Sequence, residues 1–137
     1  MKYEDILIGD TASFKHTITE KDVELFAKIS GDKNPLHFDE NFAKKADFSG
    51  KIVHGMLAGS LFSKLVGMHL PGRCIYVSQE LEFKNPITPN TEIIIEGRVI
   101  KKIDVFRLVT IETNIKDPLS NKKYITGKAR VKVLNVD

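Results

Sequence analysis

The sequence predicts an α+β domain in which a curved, mostly antiparallel sheet wraps around a central α-helix. From Gly55 to Met68 the apolar residues Met56, Leu57, Ala58, Leu61, Phe62, Leu65 and Val66 occupy more than one helical face, as in a helix surrounded by protein. Strand-like runs then follow to the C-terminus, and the last alternates Ala129, Val131 and Val133 against Lys128, Arg130 and Lys132, so one face of the sheet is wet. A sheet with one dry face and a helix that is apolar nearly all round both bury their surface when the sheet curls about the helix.

The elements follow from local signals. Thr11 to Ile18 alternates Ala12, Phe14, His16 and Ile18 against Ser13, Lys15 and Thr17, which reads as a half-buried strand. Thr19 then caps a helix, with Asp22 three residues on and Val23, Phe26 and Ala27 on its apolar face up to about Ile29. Asp39 caps a second, short helix with Phe42 and Ala43 inward and Lys44 and Lys45 outward. The central helix opens at Gly55 and is stopped by Leu70-Pro-Gly72. Strands are expected over Cys74 to Lys84, Thr91 to Lys101, Val105 to Ile115 and Lys123 to Leu134, with turns at 85–90, 101–104 and 117–121.

A chain of 137 residues is the size of one domain, taken here as 1–137. Its net charge of +3 comes from interspersed signs, without the basic block that tracks nucleic acid. No apolar run reaches the ~18 residues that span a bilayer, and Met1-Lys-Tyr-Glu-Asp-Ile lacks the apolar stretch of a secretion signal. The expected partners therefore include neither nucleic acid nor membrane. Cys74 stands alone, which removes any intrachain disulfide or cysteine metal site and suits a reducing cytoplasm.

The chemistry concentrates in Ile29-Ser-Gly-Asp-Lys-Asn-Pro-Leu-His-Phe-Asp39. Asp32 and His37 are an acid and an imidazole that five extended residues would hold up to roughly 16 Å apart, so they meet only if the chain folds back. Gly31, Asn34 and Pro35 supply that turn, because Pro35 fixes its own φ and moves Asn34 out of the helical region. An exposed Asp is a feeble base, so a basic role for Asp32 requires desolvation, whereas His37 titrates near neutrality unaided. Asp32 and Asn34 also have the ordinary role of turn formers, and His37 that of a structural histidine.

With Ile52-Val-His-Gly-Met56, this turn resembles the MaoC-like, (R)-specific enoyl-CoA hydratase family of hot-dog-fold proteins, and Leu81-Glu-Phe-Lys-Asn-Pro-Ile87 resembles the family's strand after the central helix. The resemblance implies a hydro-lyase that adds water reversibly to trans-2-enoyl-CoA, giving (R)-3-hydroxyacyl-CoA, in pathways joining fatty-acid oxidation to polyhydroxyalkanoate. It implies that Asp32 and His37 hold one water and pass on its proton. Gly55, at the start of the central helix, would lend its backbone N–H to the thioester oxygen. Asn34 and Ser63 are further candidates for substrate contact. Neither metal nor separate cofactor is implied, since coenzyme A belongs to the substrate. A homodimer through paired sheet edges is implied as well.

Gly55, Gly59, Ser63 and Gly67 recur every four residues and leave a stripe of small side chains for a strand, a partner helix or the acyl-pantetheine chain. Lys84, Arg98, Lys101, Lys102, Lys122 and Lys123 are candidates for the coenzyme A phosphates or ordinary solvated surface. His54 reads as structural, and His16 and His69 as non-catalytic. Rival readings are a dehydratase acting on acyl carrier protein, a hot-dog acyl-CoA thioesterase and a non-catalytic acyl-CoA-binding protein.

Overall fold

A computed structural model describes residues 1–136; Asp137, where the expected domain ends, lies outside the described residues. A single sheet contains β1 (Thr11–Thr17), β2 (Cys74–Phe83), β3 (Glu92–Ile103), β4 (Leu108–Lys116) and β5 (Lys123–Val133) in the order β1-β3-β4-β5-β2. Every neighbouring pair is antiparallel. This is the predicted hot-dog arrangement, with the helix from Gly55 buried against the concave face. Ala129, Val131 and Val133 all point inward and are buried.

Local chemistry sets the flanking helices as the sequence suggests. α1 (Glu20–Ser30) starts in a capping box, where Asp22 N–H donates to Thr19 Oγ1 at 3.2 Å and Thr19 N–H donates to Asp22 Oδ2 at 2.9 Å. It ends at Gly31, whose φ of +79° is the left-handed conformation that glycine adopts without penalty. α2 (Glu40–Lys45) is capped by Asp39 Oδ1, which accepts from Phe42 N–H at 3.0 Å. Ala43 is buried as expected, but Phe42 is largely exposed, because so short a helix turns only one residue toward the core.

The central helix departs from an unbroken α-helix. It runs as α3 (Gly55–Gly59) and α4 (Leu61–Lys64), joined through Ser60, and finishes in a π-helical turn, Leu65–His69. Ala58, Phe62, Leu65 and Val66 are buried, whereas Met56 and Met68 are exposed, so the helix is apolar on more faces than this chain covers. Each fully buried Phe or Leu stabilises the fold by about 1.5–3 kcal/mol. Phe62 and Leu65 lie in one half of the core with Ile93, Ile95 and Ile125, and Val66 lies in the other with Val99, Ile111 and Val131.

Other differences have simple causes. The β3–β4 turn is Asp104–Phe106 rather than 101–104, because both strands extend to the Ile103–Leu108 pair. Tyr3 and Ile6, in no predicted element, complete the second core half. Lys102 is drawn there: its Nζ donates to the carbonyls of Tyr3 (3.1 Å) and Ile6 (2.6 Å), so its ammonium is committed within the protein rather than offered to a phosphate.

Close backbone approach is concentrated on the register row Gly97–Thr113–Gly127. A Cβ on Gly97 would sit 2.8 Å from Leu65 Cδ2, and one on Gly127 would sit 1.9 Å from the Glu80 carbonyl oxygen. Gly127 pairs with Leu81 of β2, and the β2–β5 register shifts further along, between Tyr76 and Ser78 opposite Val131 and Arg130. Gly127→Ala should therefore destabilise the protein by roughly 1–3 kcal/mol or more, since a backbone atom must yield. Gly67→Ala, where nothing lies within 4 Å of the added carbon, should be neutral or mildly stabilising. Thermal and urea unfolding of both variants checks the contrast; an equally stable Gly127→Ala protein would contradict this register.

Candidate active site

The turn after α1 is held by a ladder of side-chain bonds. Asp32 N–H donates to Ser30 Oγ at 3.1 Å, Asn34 N–H to Asp32 Oδ1 at 3.1 Å, and Leu36 N–H to Asn34 Oδ1 at 3.1 Å. Pro35 opens a 3-10 turn, Pro35–His37, for which its fixed φ is suited. The chain thus reverses as required, and the carboxylate of Asp32 and ring nitrogens of His37 and His54 all lie within 4.8 Å of one another.

His54, read from the sequence as structural, is buried at the centre of this group. It is 2% exposed, caps the start of α3, and its ring stacks on His37 with centroids 3.7 Å apart and planes inclined by 28°. Phe26 and Phe38 lie beside it at 4.9 and 6.0 Å. Its Nε2 is 2.9 Å from the Asp32 carbonyl oxygen and 4.0 Å from Asp32 Oδ2, so the hydrogen bond is the one to the backbone. A carbonyl only accepts, which puts the hydrogen on Nε2 and leaves a lone pair on Nδ1. That Nδ1 is buried and has no hydrogen-bond partner among the described residues. The available signal was the adjacency of His54 to the buried helix start; its partner, 22 positions earlier, was invisible.

The same reasoning fixes His37. Its Nδ1–H donates to the Ile52 carbonyl at 2.8 Å, so the free lone pair is on Nε2. Burial holds the imidazole below its ordinary titration range, opposed by the bond to Ile52; the charge of a protonated His54 lowers it further and that of Asp32 raises it. His37 is thereby a neutral, oriented base near physiological pH. Asp32 differs from expectation. Its side chain is 49% exposed, so this chain alone does not supply the desolvation that a basic carboxylate needs.

Two histidines and an aspartate could suggest a metal centre. The stacked rings argue otherwise: their in-plane lone pairs run side by side instead of converging on a point about 2.0–2.1 Å from both. The trio suits proton transfer.

Gly55 begins α3 without any side chain capping its N–H groups. It lines a mostly apolar cleft of about 430 Å³ with Phe48, Ile52, Met56, Phe83 and Ile87. What approaches Gly55 is the Phe83 ring, since a Cβ would lie 2.6 Å from Phe83 Cε1, and the next small residue, Gly59, faces Leu81 at 3.1 Å. The first part of the small-residue stripe therefore admits β2. Asp32 and His37 do not line this cleft; Ile52, which orients His37, connects the two. Asn34 spends its carboxamide oxygen on the turn. Ser63 is exposed and eight residues beyond Gly55, about 12 Å along a helix, so it does not join the trio within one chain. His69 packs on Phe14 at 5.6 Å instead.

Residues 7–118 match the MaoC like domain family. An (R)-specific enoyl-CoA hydratase of Rhodospirillum rubrum is 38% identical over 136 residues, covering 96% of this chain and 90% of the relative. A 3-hydroxyacyl-[acyl-carrier-protein] dehydratase of Arabidopsis thaliana is 40% identical over a shorter 87 residues, 64% of this chain and 52% of the relative. Among solved structures, an (R)-hydratase from Aeromonas caviae involved in PHA biosynthesis superposes with a TM-score of 0.90 at 36% identity, over 96% of this chain and 99% of that one.

The lowered His37 value links protonation to stability. Unfolded His titrates near ~6.5 and folded His37 below it, so its contribution is intact above ~6.5 and is lost as pH falls toward and past the folded value. Melting temperatures should decline through that window, and His37→Gln should flatten part of the decline. NMR titration should place the His37 midpoint below that of a free imidazole; a raised midpoint would reverse the sign.

Proposed function

Because the chain belongs to the MaoC-like domain family, we propose that it is an (R)-specific enoyl-CoA hydratase, adding water reversibly to trans-2-enoyl-CoA to give (R)-3-hydroxyacyl-CoA. The observation that carries this reading is the convergence of Asp32 with an oriented His37 whose free lone pair is on Nε2. A hydro-lyase needs a base, a proton source and a place for enolate charge. His37 Nε2 removes a proton from water as its oxygen bonds to C3 of the enoyl group. The C2–C3 π electrons shift toward the thioester oxygen, and the abstracted proton is delivered to C2. Asp32 accepts a hydrogen bond from the water's second O–H, which stays intact as the product hydroxyl, and the bound thioester, covering Asp32, supplies its missing desolvation.

Gly55 N–H meets the enolate oxygen in this scheme. A ligand complex tests that contact better than Gly55→Val, which would also displace Phe83. The cleft beside Gly55 has the apolar lining an acyl or pantetheine chain requires, with Lys84 among the residues that line it. Coenzyme A is part of the substrate, and the scheme uses no metal. The single cysteine fits a cytoplasmic setting, and no helix among the described residues is long and apolar enough to cross a membrane.

Purified protein should remove the enoyl absorbance of crotonyl-CoA, and chiral analysis should find the (R)-alcohol. Faster turnover on crotonyl-acyl carrier protein would favour the dehydratase, and free thiol release the thioesterase. Asp32→Asn and His37→Gln should each lower turnover by on the order of 10²–10⁴-fold, with the double variant far less impaired than the product of the two. Full activity in either single variant would end the assignment.

We also propose a homodimer formed through β2. This strand is an edge of the sheet and exposes Ile75 (57%) and Val77 (59%), an open ladder that a second copy would pair and cover. Ile75→Glu with Val77→Glu should weaken self-association by roughly 10–100-fold while leaving the monomer folded. Light scattering after size exclusion reads the mass; an unchanged dimer would move the interface elsewhere.

A further inference from the structure

We propose that His54 is a positioning residue for the hydration: its Nε2–H anchors the backbone of Asp32, and its ring, stacked on His37, fixes the plane in which His37 presents Nε2. The inference rests on the reading of Asp32 and His37 as the acid–base pair. Three observations carry it. His54 is 2% exposed although it is a polar side chain, so its place is set by packing. Its one hydrogen bond, 2.9 Å, ends on the residue that bears the candidate acid. Its ring is stacked at 3.7 Å on the candidate base.

The consequence is mechanical and electrostatic. Asp32 lies on an exposed turn bonded to Ser30, the last residue of α1, and to Asn34 within the turn; His54 ties it to the segment that opens the central helix. Every shift of the helix start is therefore transmitted to both acid and base. The His54 ring also covers one face of His37, and that desolvation disfavours the His37 cation, so the stack keeps His37 available as a base. The other charged groups beside His37 among the described residues are Glu20 and Glu24 from α1 and Lys51, which share a small crevice with it, Lys51 being paired with Glu20 at 2.9 Å, and Asp32, whose carboxylate lies within 4.8 Å of a His37 ring nitrogen.

Two substitutions separate the roles. In His54→Gln the amide nitrogen reaches the position of Nε2, which retains the anchor and removes the stacking ring. In His54→Phe the ring is retained and the anchor is lost. His54→Phe should lower kcat by roughly 10–100-fold with little change in KM, as expected when a reacting group is misplaced by a fraction of an ångström to an ångström. His54→Gln should keep more of kcat, while the acid limb of its pH profile moves to higher pH. The His37 imidazole midpoint, read by NMR without substrate, should rise in parallel.

The unsubstituted protein gives a further readout should a variant fail to fold. Imidazole ¹⁵N shifts should show opposite tautomers, Nε2–H for His54 and Nδ1–H for His37. The same tautomer in both rings, or folded variants with unchanged kcat, pH profile and His37 midpoint, would overturn the proposal. Absence of any hydration of crotonyl-CoA by the unsubstituted protein would remove the hydratase reading, while the tautomers and midpoints would still decide whether His54 orients His37.

Discussion

Burial of the helix that starts at Gly55 is the constraint on which this structure depends. The sheet contributes a concave face of Ile93, Ile95, Val99, Ile111, Ile115, Ala129 and Val131, and this surface stays dry only with Phe62, Leu65 and Val66 against it. Glycine at positions 97 and 127 is part of the same solution. At Gly97 the missing side chain is the space taken by Leu65, and at Gly127 it is the space taken by the backbone of β2. The helix pays with regularity, finishing in a π-helical turn where it must still present Leu65 and Val66 to two halves of the core.

Site geometry follows from that burial. His54 immediately precedes the buried helix, so it enters the interior with it, and there it meets the turn after α1. The turn has little packing of its own: Gly31, Asp32, Lys33, Asn34 and Pro35 are all exposed. Asx bonds shape it, while His54 and the Ile52 carbonyl attach it to the core. A soft, solvent-facing loop thus acquires a defined imidazole because the segment leading into the central helix holds it from beneath. The same arrangement accounts for the asymmetry between His37 and Asp32, since His37 lies against that segment and is partly desolvated, whereas Asp32 is half exposed.

The apolar cleft beside Gly55 and the cluster of Asp32, His37 and His54 are adjacent and distinct, joined through Ile52. That division suits a thioester substrate whose long apolar arm needs surface and whose reacting carbons need polar atoms. Exposed Met56, Phe83, Ile75 and Val77 show that the chain retains apolar surface on both its central helix and its edge strand.

Much was determined by the sequence alone, wherever the governing interaction is local. The Thr19 cap, the turn at Gly31, Asn34 and Pro35 and the alternation of β5 depend on neighbours within a few residues, and each is found as expected. Asp32 and His37 were legible for the same reason. Tertiary structure decided what depends on partners far along the chain: the bond from His54 to Asp32 across 22 positions, the seat of Leu65 over Gly97, the capture of Lys102 by Tyr3 and Ile6, and Phe83 over Gly55. Composition and periodicity record which face of an element is dry; they do not record which residue of another element fills it. For that reason Asp32 and His37 could be singled out from a single loop, while the contacts of His54 with both emerged only when helix, turn and sheet were brought together.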